Sequence, residues 1–485
     1  MNKKLISSML AFALIFSMSS MFNATHSFAD GENLIVYKDP KIYTNTEIKT
    51  MLHESALQNG IPPEILKAIA FIETGMQQYD ATTGNPIIAT DGGIGMMQIT
   101  MTDEQLQAQG IDKEKLKWNT RYNIEIGAKI LKEKWNNPNL PKINDKNPQT
   151  IENWYFAIMA YNGLSKRNDP TRPQEQRPYQ ERVLEAIRNN GLLPISTIPS
   201  VTISYPNSDA PDLMAFPVQE YNWPTIGMKS TQMWVKGQTV YTLNNQLTYS
   251  KLRDGVNGAE IKQLPHYTPL QIVSGPYEVD SSNNHYVMYE VSNNSTKGYI
   301  ASSNVRGGNL TIFKDVPIGE SASAIAYLQL KNLISTTPDS LFKPNTPILR
   351  VEAASMLVKE LGLTLPAGYK MKATDMKPTE ANYEEMMIAE AHGILGKDGT
   401  IRPNGHLTRA QMAAILVRAY DKLYTTPTTN VSFTDVPPTN WSYNDINTLA
   451  FNKITVTANG PYRPNGDVTR SQFALFLMRT MELRN

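Results

Sequence analysis

The chain has 485 residues, 46 basic and 45 acidic side chains, a net charge of +1 and no cysteine. Its length suggests about three domains. The balanced charge gives no overall field that would attract nucleic acid or membrane lipid, and the lack of cysteine excludes disulfides, thiol nucleophiles and cysteine metal sites.

The first 29 residues have the pattern of a signal peptide. Two lysines precede an apolar run over residues 5–22, and Ser-Phe-Ala at 27–29 suits a signal peptidase. We therefore expect a secreted chain that starts near Asp30. No later run is apolar for long enough to span a bilayer, so we expect no membrane contact after cleavage. Retention at the cell would then require a binding module.

Residues 40–190 carry a helical pattern of apolar side chains. Helices are predicted near residues 46–59, 63–74, 120–135 and 150–162. We interpret this region as one mostly α domain.

One helix of this domain ends in a glutamate where an apolar side chain is expected. In the stretch ILKAIAFIETG, residues 65–75, Glu73 follows Ile65 and Ile69 at intervals of four, so its carboxylate lies on the stripe that should face the core. Buried carboxylates are rare unless they are paired or functional. Both a structural partner and a catalytic role remain open on this pattern alone.

The next two regions lack a helical period. Residues 191–225 contain six prolines, which predicts an extended linker. Residues 226–307 show short alternating runs between glycine-containing turns, which predicts a small β-barrel. The segments LRDGVNGAEI (252–261) and GYIASSNV (298–305) resemble a bacterial Src-homology-type cell-wall domain.

The rest of the chain repeats three times, over residues 311–366, 371–425 and 431–485. Each unit holds one aspartate of a motif such as FKDV and one arginine of a motif such as TRAQ: Asp315 and Arg350, Asp375 and Arg409, Asp435 and Arg470. The aspartates are 60 and 60 residues apart and the arginines 59 and 61. Such regular spacing predicts three copies of one structural unit.

The arginines occupy an unusual position in the predicted helices. Thr408 and Gln411 form a capping box, so Arg409 falls in the first turn, where the helix dipole disfavours a cation. Arg470 has the same position. This placement predicts an acidic ligand held jointly by the guanidinium and the backbone N–H groups.

Four motifs of the helical domain resemble a known enzyme family. They are Glu73-Thr74, Gly93-Ile-Gly-Met-Met-Gln98, Asn123 with Gly127-Ala128 and Leu131, and Ala160-Tyr-Asn-Gly163. In this order they resemble the SLT-type lytic transglycosylases, relatives of goose-type lysozyme. Thr74 stands where the family usually has serine, and Met96 where it has leucine. The resemblance implies a lysozyme-like domain in which Glu73 cleaves the bond between N-acetylmuramic acid and N-acetylglucosamine and a 1,6-anhydro product forms without a cofactor.

The same resemblance assigns candidate substrate contacts. Gln98, Tyr161 and Asn162 would hold the glycan and position Glu73, and Gly95 and Met97 belong to the same cleft. The residues alone allow other roles. Gln98 could cap backbone, Tyr161 and Met97 could fill the core, and Asn162 could end a helix.

Asp91 leaves the reaction type open. Ordinary glycosidases use two carboxylates, so Asp91 could orient a water for lysozyme-like hydrolysis. The alternative is turn chemistry, because Asp-Gly is a common turn dipeptide.

The basic residues between Lys166 and Arg182 are interpreted as a solvated face, with a peptidoglycan contact as the alternative. A third interpretation of the chain is a wall or S-layer scaffold without activity.

The three repeats resemble S-layer homology repeats, which form a mostly α, pseudo-threefold module. The resemblance implies binding of pyruvylated secondary cell-wall polysaccharide, with the arginines on the pyruvyl carboxylate, the aspartates on the sugar and Trp441 in a groove. Turns or helix caps are the alternative role for the aspartates. The first repeat has Leu349 in place of threonine, and we expect one or two working grooves rather than three.

Other chemistries receive less support. No pair among the six histidines has zinc-ligand spacing, so neither a metal site nor a zinc amidase is expected. We therefore expect a multidomain, wall-tethered peptidoglycan lytic transglycosylase of a Gram-positive bacterium.

Overall fold

The computed structural model describes residues 41–484 except residues 174, 295, 336–340, 397–398 and 456–459. The predicted signal peptide lies outside the described residues. Ile42–Asn485 form one compact unit. Within the described part, every helix is too short or too polar to cross a bilayer.

The first part is the predicted mostly α domain. Its helices are α1 Asn45–Gln58, α2 Pro63–Thr74, α3 Asp103–Ala108, α4 Lys113–Trp118, α5 Thr120–Asn136, α6 Tyr155–Asn162 and α7 Tyr179–Asn190. Local signals set their ends. Thr44 and Glu47 form a capping box at the start of α1, and Gly75 ends α2 in the left-handed region at φ 66°. The apolar faces of the helices share one core.

The proline-rich segment, residues 191–225, is extended, but it packs on the helical domain. Its strand β2 (Glu220–Tyr221) pairs in parallel with β1 (Lys142–Ile143). Six of its apolar side chains are buried in the core of the helical domain: Leu193, Ile195, Ile198, Val201, Met214 and Phe216. Proline fixes the backbone in an extended form but does not prevent neighbouring side chains from being buried. The segment is therefore part of the helical domain's surface layer.

The second part is a curled antiparallel sheet where the β-barrel is predicted. Its strands are β3 Thr239–Thr242, β4 Tyr249–Arg253, β5 Glu260–Pro265, β6 Pro269–Glu278, β7 Val287–Asn293, β8 Thr296–Ala301 and β9 Val305–Gly307. Their order is β5-β4-β8-β7-β6-β3-β9, with β9 at one edge. Register shifts in β6 bend the sheet, and its inner face encloses a small core of its own that includes Val240, Val291 and Ile300.

The third part is the predicted pseudo-threefold helical module. Its helices are α8 Glu320–Leu330, α9 Arg350–Glu360, α10 Tyr383–Ala391, α11 Arg409–Ala419, α12 Tyr443–Phe451 and α13 Arg470–Glu482. A ring of backbone hydrogen bonds closes the three repeats. Ile348 N donates to Val468 O at 2.9 Å, Val468 N to Leu407 O at 2.8 Å, and Leu407 N to Ile348 O at 3.1 Å. Each repeat therefore contributes one equivalent residue to a shared centre.

The sheet contacts the repeat module through aromatic and polar side chains. The rings of Tyr267 and Tyr327 lie edge to face with centroids 4.8 Å apart. Thr268 and Ser323 share a buried hydroxyl contact at 3.2 Å, and Asn294 Nδ2 donates to Phe313 O at 3.0 Å. The module therefore packs on the sheet without an intervening linker.

A buried ion pair joins the helical domain to the sheet. Lys67, on α2, is fully buried, and its Nζ donates to Glu278 Oε1 of β6 at 2.5 Å and to Gln232 Oε1 at 2.7 Å. His53 Nδ1 lies 3.5 Å from the same carboxylate. Burial alone would raise the pKa of Glu278, but the positive charge of Lys67 and the contact with His53 outweigh it and lower that pKa.

Removing one partner of this pair should destabilise the protein strongly. Lys67→Met leaves the Glu278 carboxylate buried without its main counter-ion, which typically costs about 3–5 kcal/mol. We expect a lower midpoint of urea unfolding, followed by fluorescence. Lys113→Met, which removes an exposed pair with Asp103, should change the midpoint little. Adding Glu278→Leu to Lys67→Met should restore most of the loss. Equal midpoints for Lys67→Met and Lys113→Met would contradict the assignment.

Candidate functional site

Glu73 lies in the last turn of α2, at the edge of the core. Ile65 and Ile69 on the same stripe are fully buried, whereas Glu73 is half-buried. Burial raises the pKa of Glu73, although the hydrogen bond from Tyr179 and the charge of Arg182 act in the opposite direction. The carboxyl group at the end of the predicted apolar stripe therefore has a higher pKa than a free glutamate.

Tyr179 contacts Glu73 directly. Its hydroxyl donates to Glu73 Oε1 at 2.6 Å, across 106 residues of chain. Tyr179 follows Pro178 at the start of α7 and is 1% exposed. Burial and the neighbouring Glu73 raise the pKa of Tyr179 well above its usual value, so it remains a hydrogen-bond donor. The sequence alone does not predict a role for this residue, because a tyrosine after a helix-starting proline is only a weak signal.

The loop at residues 93–98 is fixed by a buried polar network. Gly95 has φ +69°, and a Cβ there would lie 2.4 Å from Asn123 Nδ2, so a larger residue would not fit. The Met97 side chain is buried, its N–H donates to Asn123 Oδ1 at 2.8 Å, and its carbonyl accepts from the Tyr161 hydroxyl at 2.8 Å. Gln98 Nε2 donates to Gly95 O at 2.7 Å. The side chain of Met97 fills the core, and its backbone links the loop to α6.

Tyr161 and Asn162 end α6 beside Glu73. Burial and the charge of Glu73 raise the pKa of Tyr161 well above its usual value. Asn162 Oδ1 accepts from Asn168 Nδ2 at 3.1 Å, and Asn168 Oδ1 accepts from Tyr179 N at 3.2 Å. The structure therefore brings the ends of α2 and α6, which carry two of the motifs, together with the start of α7 around one carboxyl group.

Asp91 occupies an exposed turn. Its Oδ1 accepts from Gly93 N at 3.2 Å, the geometry expected of an Asp-Gly turn. Its negative charge contributes to the raised pKa of Glu73, after burial. Asp91 is thus close enough to raise the pKa of Glu73, while its side chain accepts the hydrogen bond expected of the turn.

A cavity of about 390 Å³ adjoins this site and is lined by Asn162, Asn168, Glu175, Gln176, Tyr179 and the guanidinium groups of Arg167, Arg177 and Arg182. Arg182 stacks over the Tyr179 ring at 5.6 Å, and its buried Nε has no hydrogen-bond partner among the described residues. Part of the basic run predicted as a solvated face therefore lines a cavity beside the carboxyl group. Within the described part of the chain, His, Asp and Glu side chains form no cluster that could hold a metal ion.

The three repeat aspartates have the same backbone partners. Asp315 accepts from the N–H groups of Phe342 and Lys343 at 2.9 and 2.7 Å. Asp375 does so from residues 401 and 402 at 2.9 and 2.7 Å, and Asp435 from residues 462 and 463 at 2.7 Å each. Each carboxylate uses both oxygens to fix one turn, in agreement with the turn role that the sequence leaves open.

Each repeat arginine reaches into the next repeat. Arg350 Nε donates to Ile401 O at 2.7 Å, Arg409 Nε to Tyr462 O at 2.6 Å and Arg470 Nε to Phe342 O at 3.0 Å. The backbone N–H groups of these arginines donate to Gly405, Gly466 and Thr346. The predicted anion site made jointly with backbone N–H groups is therefore wrong in that detail, since those first-turn N–H groups are already bonded.

The arginines differ in their remaining contacts. Arg470 Nη1 forms an ion pair with Glu352, and Arg350 Nη1 donates to Gln411 Oε1 at 3.4 Å. Arg409 stacks on Tyr462 and Phe476 at 4.6 and 5.6 Å, and neither of its Nη atoms has a hydrogen-bond acceptor within the described ranges. Trp441 is 63% exposed. The three positions are thus chemically unequal.

Comparison with known families assigns two parts of the chain. Residues 50–182 match the transglycosylase SLT domain, and residues 312–354, 374–413 and 432–474 match the S-layer homology domain. The helical domain thus carries an SLT domain, and each repeat carries one S-layer homology domain.

Curated relatives match about a third of this chain. The S-layer protein sap of Bacillus anthracis is 29% identical over 172 residues, 35% of this chain and 21% of that protein. A cellulosome-anchoring protein of Acetivibrio thermocellus is 32% identical over 155 residues, 30% of this chain and 34% of that protein. An uncharacterized cell wall amidase of B. anthracis is 30% identical over 175 residues, 35% of this chain and 32% of that protein. The chain therefore spans only a fifth to a third of the length of these relatives.

The raised pKa of Glu73 predicts a pH-dependent gain in stability from Glu73→Gln. In the unfolded chain the carboxyl titrates near 4.5, and in the fold it titrates higher. The wild type therefore loses stability as pH rises through this window, whereas the amide does not. We expect Glu73→Gln to melt at a higher temperature than the wild type at about pH 7, and the two to converge at about pH 4.

Circular dichroism melting curves in matched buffers would test this expectation. Glu133→Gln, which replaces an exposed glutamate of α5, serves as the charge-matched control and should show no such pH dependence. A Glu73→Gln difference that stays constant between about pH 4 and pH 7 would contradict a raised pKa.

Proposed function

We propose that this chain, in which residues 50–182 form a transglycosylase SLT domain and residues 312–474 hold three S-layer homology domains, is a peptidoglycan lytic transglycosylase anchored at the cell surface. The observation that carries the proposal is Glu73, a half-buried carboxyl group with a raised pKa, held by the buried Tyr179 hydroxyl. A glycan-cleaving acid must keep its proton near neutral pH, and desolvation is the usual means.

The proposed reaction needs one carboxyl group. Glu73 donates its proton to the oxygen between N-acetylmuramic acid and N-acetylglucosamine as the bond from that oxygen to the muramoyl C1 breaks. Positive charge then develops at C1. The Glu73 carboxylate removes the proton of the muramoyl 6-hydroxyl, whose oxygen bonds to C1. The products are a strand that ends in N-acetylglucosamine and a 1,6-anhydro-muramoyl end, and Glu73 has recovered its proton without consuming water.

The surrounding residues have supporting roles in this proposal. Tyr179 keeps one carboxyl oxygen in place and stabilises the carboxylate after proton donation. Tyr161 fixes the loop through the Met97 carbonyl, and Gln98 and Asn162 present amide groups to the glycan. Gly95 lets the loop approach Asn123 closely. We propose these four residues as substrate-side groups and Met97 as their buried support.

Hydrolysis is the second candidate reaction. It would require Asp91 to orient a water against C1. Asp91 is exposed and engaged in its own turn, but its field reaches Glu73. The type of product therefore decides between a transglycosylase and a muramidase.

The first experiment is mass spectrometry of the soluble fragments that the protein releases from purified peptidoglycan. We expect 1,6-anhydro-muropeptides from the wild type and a loss of at least about 100-fold in Glu73→Gln, the usual scale for an acid–base group. Glu133→Gln should release the wild-type products.

Two outcomes would contradict this proposal. Reducing muropeptides in place of anhydro products would establish hydrolysis and direct attention to Asp91. No release from several wall types by a folded wild-type protein would favour a wall scaffold without activity.

We further propose that the S-layer homology domains bind an acidic secondary wall polysaccharide, with a pyruvyl carboxylate as the anion. Arg409 is the best placed of the three arginines, because its Nη atoms have no acceptor among the described residues, whereas Arg470 is already paired with Glu352. Asp315, Asp375 and Asp435 preserve the turns behind the arginines, and the exposed Trp441 offers a face for sugar stacking.

Arg409→Gln should weaken binding to purified walls more than Arg470→Gln does. Loss of a charge-assisted contact is worth about 1.5–3 kcal/mol, or roughly 10- to 100-fold in affinity. Co-sedimentation with walls before and after acid removal of pyruvyl groups would measure it. Arg418→Gln, on the same helix, is the matched control. Undiminished binding by a folded Arg409→Gln variant would exclude Arg409 from the polysaccharide site.

A further inference from the structure

The cavity beside the candidate acid carries positive charge that the proposed reaction does not use. Three arginines line it, Arg167, Arg177 and Arg182, and the exposed Glu175 supplies the one carboxylate among the described lining residues. Arg177 is already paired with Glu185. The volume of about 390 Å³ is within the range of about 300–1,000 Å³ typical of ligand sites. The other two arginines are therefore the cations that an anionic ligand group would meet in this cavity.

We propose that this cavity binds a carboxylate carried by the side branch of N-acetylmuramic acid, and that Arg182 and Arg167 select glycan strands with such a group. This inference rests on the proposed function, because it assigns a substrate group to the site beside Glu73. It goes beyond that function, since cleavage of the glycan bond does not by itself require a charged branch.

Arg182 offers donors that a ligand can reach. Its guanidinium has neither a hydrogen bond nor an ion pair within the described ranges, and Nε is its one nitrogen that is fully buried. The two Nη atoms are therefore accessible from the cavity that the side chain lines. The guanidinium is held over the Tyr179 ring at 5.6 Å, a contact that uses none of its N–H donors.

Arg167 adds a second cation to the same wall. Its Nη2 donates to Asn162 O at 2.9 Å, which fixes the guanidinium beside the end of α6. The side chain is exposed, and its Nε and Nη1 have no acceptor in the part of the chain that the structure describes. A planar guanidinium binds a carboxylate with two parallel hydrogen bonds. The free nitrogens of the two arginines thus match the geometry of a carboxylate.

These cations lie close to the candidate acid. Tyr179 joins the two places, because its hydroxyl donates to Glu73 Oε1 at 2.6 Å and its ring lies under Arg182. Burial raises the pKa of Glu73, and the charges of Arg182 and Arg167 act against it. A carboxylate bound by the arginines would offset their charges, so the acid would keep its proton to a higher pH while the substrate is bound.

The sugar at the cleaved bond carries a group of this kind. N-acetylmuramic acid has a lactyl side chain, whose carboxyl group is either free or linked to a wall peptide that has carboxylates of its own. Because this branch belongs to the sugar that Glu73 acts on in the proposed reaction, it enters the site together with the cleaved bond. Both sources present the same chemical group to the arginines.

Isothermal titration of the full chain with Glu73→Gln, which removes the proposed acid, tests the proposal. The probes are a short glycan strand whose peptide branches have free carboxylates and the same strand with every carboxylate converted to an amide. We expect the acid strand to bind at least about tenfold more tightly, the lower end of the effect of a hydrogen bond to a charged group. A peptide-free strand with free lactyl carboxylates identifies the source. Binding as tight as that of the acid strand assigns the lactyl group, and binding as weak as that of the amide strand assigns the peptide.

Variants added to the Glu73→Gln chain locate the effect. Arg182→Gln should remove most of the preference for the acid strand, and Arg167→Gln should reduce it. Arg172→Gln is the matched control, because Arg172 is an exposed arginine of the same basic run outside the cavity lining. This variant should keep the preference of the parent chain.

Three results would overturn the proposal: equal affinity for the acid and amide strands, no binding of either strand, or a preference that survives both Arg182→Gln and Arg167→Gln. If Arg182→Gln does not fold, the exposed Arg167 position and the acid-to-amide comparison decide. The titration needs no cleavage. Failure of the anhydro-product test therefore leaves the binding preference measurable, and equal affinities would leave the proposed reaction in place.

Discussion

The buried contact between Lys67 and Glu278 is the constraint on which much of the architecture depends. Lys67 lies six residues before Glu73 on the same helix, and Glu278 ends strand β6. Breaking a buried ion pair leaves an uncompensated charge in the interior, which is strongly destabilising. The contact between Lys67 and Glu278 therefore sets where the sheet packs on α2. The sheet in turn holds α2, the helix that carries Glu73, in position.

The repeat arginines have the same structural role in each repeat but differ in their remaining hydrogen-bonding groups. Each repeat arginine uses its Nε for a carbonyl of the next repeat, and each aspartate holds the turn that presents this carbonyl. These interactions close the pseudo-threefold ring in every repeat. The arginine groups that could still contact a ligand are the terminal Nη atoms. In Arg470 one of them, Nη1, is already paired with Glu352. Equivalent positions in sequence therefore have unequal hydrogen-bonding contacts in the fold.

The sequence predicts those features that depend on local pattern. The spacing of Ile65, Ile69 and Glu73 places a carboxyl on the stripe that faces a core, the regular spacing of the repeats predicts three copies of one unit, and the Asp91-Gly dipeptide is typical of a turn. Features that depend on distant partners were missed. Tyr179 reaches Glu73 across 106 residues, and nothing local indicates that contact. The prolines of residues 191–225 predict an extended backbone, but a backbone preference does not indicate whether the neighbouring side chains are buried.

The packing of residues 191–225 on the helical domain has a consequence for reach. A free, extended segment of this length would span roughly 100 Å, at about 3.3 Å per residue, and would let a cleaving domain sweep a wide volume around its anchor. Here Phe216 and Met214 are in the core. The sheet contacts α2 through Glu278 and the repeats through Tyr267. For an enzyme anchored as proposed, the distance between the repeats and Glu73 is set by the packing of the folded chain. Under the proposed function, a fixed distance between Glu73 and the repeats would confine cleavage to a set distance from the bound polysaccharide.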